Sequence, residues 1–191
     1  MIRIVEETFA DVGAREALLD RAYGDSRFAK VSEILRRGYR PAEGLALIAM
    51  DGEDVIGTVR LWNVAAGGVE MLLLGPLAVD PARQSEGIGA ALMRHAITRA
   101  RALGHGAIIL VGDAAYYGRF GFSTGLTWRL SMPGRVDSER FLALELRKGA
   151  LSKAAGEIVA SGRPAVEADV IPFVMAGAPR RSRGGLRLRA A

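Results

Sequence analysis

The chain has 191 residues, half of them hydrophobic, a quarter charged and none of them cysteine. That size and balance suit one globular domain with a substantial core, while the lack of cysteine excludes disulfides, thiolate metal sites and a cysteine nucleophile and fits a reducing cytoplasm. The formal charge of +5 belongs to the end of the chain: setting aside Arg180, Arg181, Arg183, Arg187 and Arg189, which have no acid among them, leaves 21 basic against 21 acidic residues.

The first residues, Met1-Ile-Arg-Ile-Val-Glu-Glu, are too short and too charged for a signal peptide. Ile2–Val5 alternates weakly and predicts a first strand. Asp11 is placed to N-cap a helix over Val12–Ala22, and a second helix is expected over Phe28–Arg37. Leu45–Met50, the turn Asp51-Gly52 and Val55–Val64 read as a hairpin. After the loop Ala65–Gly68 comes a long apolar strand, Glu70–Val79. An amphipathic helix over Gly87–Leu103 follows, with Ile88, Leu92, Ala96, Ala100 and Leu103 on its apolar arc and Gly104 ending it. Ala107–Val111 reads as a buried strand and Ala114–Phe120 as a short helix closed by Gly121. Thr127–Met132 and Phe141–Leu146 are expected to be strands, and Glu157–Ala160 and residues 171–175 are further strand candidates.

Hairpins mixed with one strand–helix–strand crossover predict an α+β fold with a mixed, mostly antiparallel sheet. Nothing before residue 178 resembles a linker, so residues 1–177 form one domain and 178–191 a basic tail. Such a tail holds phosphate polymers nonspecifically, and no specific nucleic-acid partner is expected. No apolar run approaches the roughly 20 residues of a membrane span. The sequence therefore reads as a cytoplasmic protein with no membrane partner.

The chemistry concentrates in residues 70–122. Gln84-Ser85-Glu86-Gly87-Ile88-Gly89 puts two glycines at a helix start, where free backbone N–H groups and the positive end of the helix dipole suit a phosphate or pyrophosphate. A dinucleotide fingerprint would need a third glycine where Leu92 stands. The preceding strand carries Gly75-Pro76 at its centre, and a proline cannot donate to a ladder, so a bulge or splay is expected there. A splayed strand offers unpaired backbone groups to an extended ligand.

Leu74-Gly-Pro-Leu-Ala-Val-Asp-Pro81, Gln84-x-x-Gly87-x-Gly89 and Tyr116-Tyr-Gly-Arg-Phe-Gly-Phe122, in this order and spacing, resemble the GNAT superfamily of acetyl-CoA-dependent N-acetyltransferases, and within it the bacterial YhbS-like group. The resemblance spans roughly residues 2–147 in element order, with specific motifs in 74–122. It implies a GNAT fold whose sheet splays at the fourth strand, acetyl-CoA as co-substrate, no metal, and acetyl transfer to a primary amine by direct attack in a ternary complex. It also implies that Gln84 and the N–H groups around Ser85, Glu86, Gly87, Ile88, Gly89 and Ala90 cradle the pyrophosphate. Leu77, Ala78 and Val79 would pair with the pantetheine amides, one of their N–H groups polarising the thioester carbonyl.

By the same resemblance Tyr117 protonates the departing thiolate, whereas Tyr116 reads as packing. Glu86 places an acid beside a pyrophosphate, and Arg83 is near enough in sequence to offset it. The amine must lose a proton, and Glu70, at the start of the splayed strand, is the base candidate by position. His95, outside the apolar arc, and His105, between glycines, read as surface and loop residues, which argues against a metal site or a hydrolytic triad. Asp80 ends the strand, and Asp113 caps the helix carrying Tyr117. Trp62, Met71 and Trp128 are core residues or walls of an acceptor cleft, whose loops are expected in Tyr23–Arg40, Ala65–Glu70 and Ser123–Trp128. The acceptor, a small molecule, peptide or protein, is not encoded in a readable pattern, and homodimerisation is left open. A non-catalytic acyl-CoA-binding or interaction module on the same fold is the alternative.

Overall fold

The structure, a computed structural model, describes residues 1–166. The strand expected over 171–175 and the arginine-rich tail lie outside the described residues. The main sheet runs in the order β1 (Ile2–Glu6), β2 (Ala46–Asp51), β3 (Asp54–Ala66), β4 (Val69–Val79), β5 (Ala107–Val111), β7 (Phe141–Glu145). Every neighbouring pair is antiparallel except β4 and β5. A parallel pair needs a crossover, and α3 (Ile88–Ala102) supplies it. This is the mixed, mostly antiparallel sheet that the sequence predicts.

Alternation along β4 sorts its side chains between two cores. Leu72 and Leu74 join the face covered by α3, and Met71 and Leu73 face the opposite way. The arc of α3 is buried at Ile88, Leu92, Ala96 and Ala100, joined by Met93 and Ile97, whereas Leu103 stands past the last turn and is half exposed. The opposite face is covered by two separate pieces. At one end α1 (Val12–Tyr23) lays Leu18 on Ile48 and Val55. At the other, the segment from β6 (Leu130–Ser131) to Ile158 packs on Met71, Leu73 and Ile109.

Four local expectations change. Asp11 does precede α1, but its carboxylate turns back to accept from the Thr8 N–H at 2.8 Å and the Thr8 hydroxyl at 2.6 Å, because a 3-10 turn over Phe9–Asp11 comes first. The helix expected over Phe28–Arg37 is reduced to α2 (Val31–Ile34), preceded by a 3-10 stretch over Gly24–Ala29 and interrupted by extended Lys30. Arg27, just before the expected helix, and Arg36, within it, are both buried. The strand expected over Thr127–Met132 shrinks to β6, which pairs with β8 (Gly156–Glu157) away from the main sheet. The candidate strand at Glu157–Ala160 splits at fully buried Ile158, and β9 (Val159–Ala160) pairs with β3 instead.

Candidate active site

β4 and β5 part company early. Their register covers only Leu72–Ile108 and Leu73–Ile109, while β5 continues with β7 as far as Val111–Phe141. On its other edge β4 stays with β3, but Val59 pairs Leu77 and Leu61 pairs Leu74, so Gly75 and Pro76 together face Arg60. That is the bulge implied by Pro76, and the Gly75–Pro76 bond is cis. The Trp62 indole donates to the Gly75 carbonyl at 2.6 Å and pins the bulge. Beyond it, Leu77, Ala78 and Val79 present an edge with no strand beside it among the described residues.

Past Val79 the chain turns through a 3-10 element over Pro81–Arg83, in which Asp80 accepts from the Ala82 N–H. Gln84, Ser85, Glu86 and Gly87 are exposed. Ser85 and Gly87 both have positive φ, 69° and 80°, a region that costs a residue other than glycine energy. The first α3 bond runs from the Ala91 N–H to the Gly87 carbonyl at 3.0 Å, so the N–H groups of Ile88, Gly89 and Ala90 point out of the helix start. Glu86 is not aimed at them: Arg83 donates to it at 2.8 Å and to Asp51 at 3.2 Å. That hydrogen bond from Arg83 holds the Glu86 carboxyl below the usual carboxylate range.

The two tyrosines of α4 (Ala114–Gly118) divide their work. Asp113 caps α4, accepting from the Tyr116 N–H at 2.6 Å. The Tyr116 hydroxyl reaches the first turn of α3, where a Cβ added at Gly89 would stand 3.1 Å from it. Tyr117 lies edge-on to Tyr116, with ring centroids 4.9 Å apart, and turns toward the split between β4 and β5. Its ring lies flush on Gly112, where an added Cβ would come within 2.2 Å of the ring. Burial, then the neighbouring Tyr23 and Tyr116 phenols, push the Tyr117 hydroxyl well above the ordinary tyrosine value.

Tyr117 is one wall of a cavity of about 190 Å³. The β4 bulge from Leu74 to Leu77, with Trp62 and Arg60 of β3, forms a second wall. α1 and the α2 region close it through Arg15, Glu16, Tyr23, Arg27, Lys30, Glu33 and Arg36. Arg36 reaches the bulge, its Nη1 lying 3.4 Å from where a Gly75 Cβ would stand. The Tyr23 hydroxyl donates to the Leu77 carbonyl. Beneath the floor Glu7 accepts from Arg60 at 2.8 and 3.0 Å and from Arg15 at 3.2 Å. Burial, with Arg60 adding to it, lowers Arg15 to about 10.

The structure brings Tyr117, Leu77 and Trp62 to this cavity and leaves Glu70 away from it. Glu70 pairs with Ala65 near the β3–β4 turn and accepts from the Ser161 hydroxyl at 2.7 Å. Five strand residues, about 16 Å, separate it from Gly75. Met71 is core, and Trp128 is exposed on a different groove. His95 is exposed and His105 sits in a loop. Of the three loops expected to shape an acceptor cleft, only Tyr23–Arg40 reaches the cavity. Sequence reasoning missed Arg15, Arg27, Arg36, Arg60 and Gly112. The signal for Arg15 was there, since its spacing from Leu18 and Leu19 places it on the buried face of α1. Among the described residues, no cluster of His, Asp or Glu is arranged to hold a metal and no helix is long and apolar enough to cross a membrane.

Residues 13–122 match the acetyltransferase (GNAT) family. The uncharacterised N-acetyltransferase YhbS of Escherichia coli is 34% identical over 116 residues, covering 59% of this chain and 68% of that protein. The uncharacterised N-acetyltransferase YjhQ of E. coli is 31% identical over 106 residues, or 53% and 59% of the two chains. The crystal structure of E. coli YhbS in complex with CoA superposes with a TM-score of 0.69 at 30% identity, covering 84% of this chain and 88% of that one. A GNAT family acetyltransferase from Brucella melitensis, in complex with acetyl-CoA, gives 0.59 at 27% identity over 88% and 97%.

Proposed function

The chain belongs to the acetyltransferase (GNAT) family, and on that premise we propose that it transfers the acetyl group of acetyl-CoA to an amine nitrogen by direct attack with both substrates bound. The observation that carries this reading is the position of Tyr117, on the wall of a cavity that opens at the split between β4 and β5. The site fits acetyl-CoA: an outward-pointing helix start and an open strand edge lie on consecutive segments, and the two acids between them, Asp80 and Glu86, are held by Arg21 and Arg83.

The N–H groups at Ser85–Ala90 and the Gln84 side chain bind the pyrophosphate. The Leu77–Val79 edge pairs with the pantetheine amides, and one of its N–H groups polarises the thioester carbonyl, stabilising charge that grows on the oxygen. Tyr117 stays protonated at neutral pH because burial disfavours its phenolate. It therefore has a proton to give the departing thiolate as the carbon–sulfur bond breaks and the carbon–nitrogen bond forms. Glu70 is too far along β4 to serve as base, and the amine's proton leaves through water at the cavity mouth. The cytoplasmic location expected from the sequence is part of the proposal.

The test is calorimetric titration with acetyl-CoA beside a Gly87→Glu/Gly89→Glu variant, followed by thiol release in the presence of amines. Binding lost in the double variant, with thiol release that depends on both an amine and Tyr117, supports the reading. Binding without any thiol release turns the protein into a non-catalytic acyl-CoA module; no binding at all overturns the enzyme assignment.

A further inference from the structure

The cavity beside Tyr117 carries an unbalanced wall. Five cations line it, Arg15, Arg27, Lys30, Arg36 and Arg60, against two acids, Glu16 and Glu33. Both acids are spent. Glu16 is held by Arg15 and by Arg27 at 2.7 Å, and Glu33 by Arg36 at 2.9 Å. Glu7, behind the floor, serves Arg15 and Arg60, and Asp20, outside, serves Arg27. Lys30 is left with no carboxylate among the described residues. Its ammonium rests on the Tyr23 ring, 3.8 Å from the centroid. Partial covering of the ammonium and the adjacent Arg36 and Arg140 cations push it below the ordinary lysine value, and burial lowers Arg36.

Two of the buried guanidinium groups are also incompletely bonded. Arg27 and Arg36 are 9% and 7% exposed, yet the Nε of each lacks a hydrogen-bond partner. A buried cation with an unused donor is unfavourable unless something supplies the missing acceptor. CoA phosphates do not: the loop at 84–90 contributes no residue to this cavity. A cationic acceptor would meet five cations and no free acid, so the wall selects against it.

We infer that the acceptor is a small amine that also carries a carboxylate, received by Lys30, Arg27 and Arg36, which leaves the amine end free to face Tyr117 and the β4 bulge. The inference rests on the acetyltransferase reading and narrows its acceptor to a class. Guanidinium groups suit the planar, two-oxygen carboxylate, and a cavity of about 190 Å³ has room for an amino-acid-sized molecule. A phosphate monoester on a small amine shares the oxyanion chemistry and is separated from a carboxylate in the test.

The experiment measures thermal stabilisation of the full chain in the presence of CoA, so that no turnover occurs. The probes are matched pairs: free amino acids beside their carboxamides, and phosphoethanolamine beside ethanolamine. At least one free amino acid is expected to stabilise the protein saturably, its carboxamide binding about tenfold or more weakly. Lys30→Met, at an exposed position, should weaken that binding by a similar factor while titration with CoA is unchanged. Arg36→Met should do the same if it folds, and Lys30→Met decides if it does not. Equal or better stabilisation by carboxamides, by ethanolamine or by polyamines overturns the inference, as does silence from every free amino acid. A preference for phosphoethanolamine alone moves the ligand to a phosphate and overturns the carboxylate. Loss of CoA binding in the wild type is a different failure, that of the acetyltransferase reading itself.

Discussion

At the scale of single residues the site depends on charges held where water is scarce. Glu7, with its side chain 3% exposed, separates Arg15 from Arg60. Glu7→Gln leaves two buried guanidinium groups facing one another and is expected to destabilise the fold by about 3–5 kcal/mol, measured by urea unfolding. Tyr117→Phe removes one oxygen and little packing. It should lower the transfer rate by about 10²-fold or more while acetyl-CoA titrates as in the wild type; an unchanged rate would remove Tyr117 from the chemistry. Tyr117 was legible because it sits in a motif with its own spacing. Apart from Arg15, the arginines were not, because an arginine is ordinarily solvated, and only the fold and the partners Glu7, Glu16 and Glu33 show how far these are covered. Glu7 reaches Arg15 and Arg60 from another segment, and the local pairs Arg15–Glu16 and Arg36–Glu33 read in sequence like any solvated ion pair.

At the scale of elements, strands and helices whose apolar spacing is set locally were readable: β2, β3, β4, α3 and β5 fall where the pattern puts them. The bulge in β4 was readable too, since Pro76 cannot donate to a ladder. What failed depended on distant partners. β6 is held by β8, some 25 residues further on, and α2 gives way at extended Lys30 to the 3-10 stretch whose Arg27 is held by Glu16 and Asp20 of α1. Gly112 belongs to the same class, its role visible only once α4 folds back over β5. Gly112→Ala drives a methyl into the Tyr117 ring. The expected result is a loss of about 1–3 kcal/mol in stability and a lower turnover, with acetyl-CoA affinity retained; a wild-type turnover would show that the ring position is immaterial.

At the scale of the molecule, one face of the sheet is sealed by α3 and the other by two unrelated pieces, α1 and the segment around residues 130–158, with the cavity on the α1 side beside the β4–β5 split. Burial raises both Tyr23 and Tyr117 above the ordinary phenol value. For a raised folded value, the stabilising contribution is complete below the unfolded tyrosine value of about 10 and is lost as pH rises through the folded one. Unfolding free energy should therefore fall above about pH 10, and the fall should be shallower in Tyr117→Phe; equal slopes would show that the phenol is not buried in solution. The split also has a meaning for the chain before any substrate arrives. An open strand edge is the surface through which proteins recruit one another into aggregates. Here the bulge at Gly75 and Pro76 interrupts that edge, and the Tyr23 hydroxyl occupies the Leu77 carbonyl. The groove proposed for an extended ligand is thereby a poor template for a second copy of the chain.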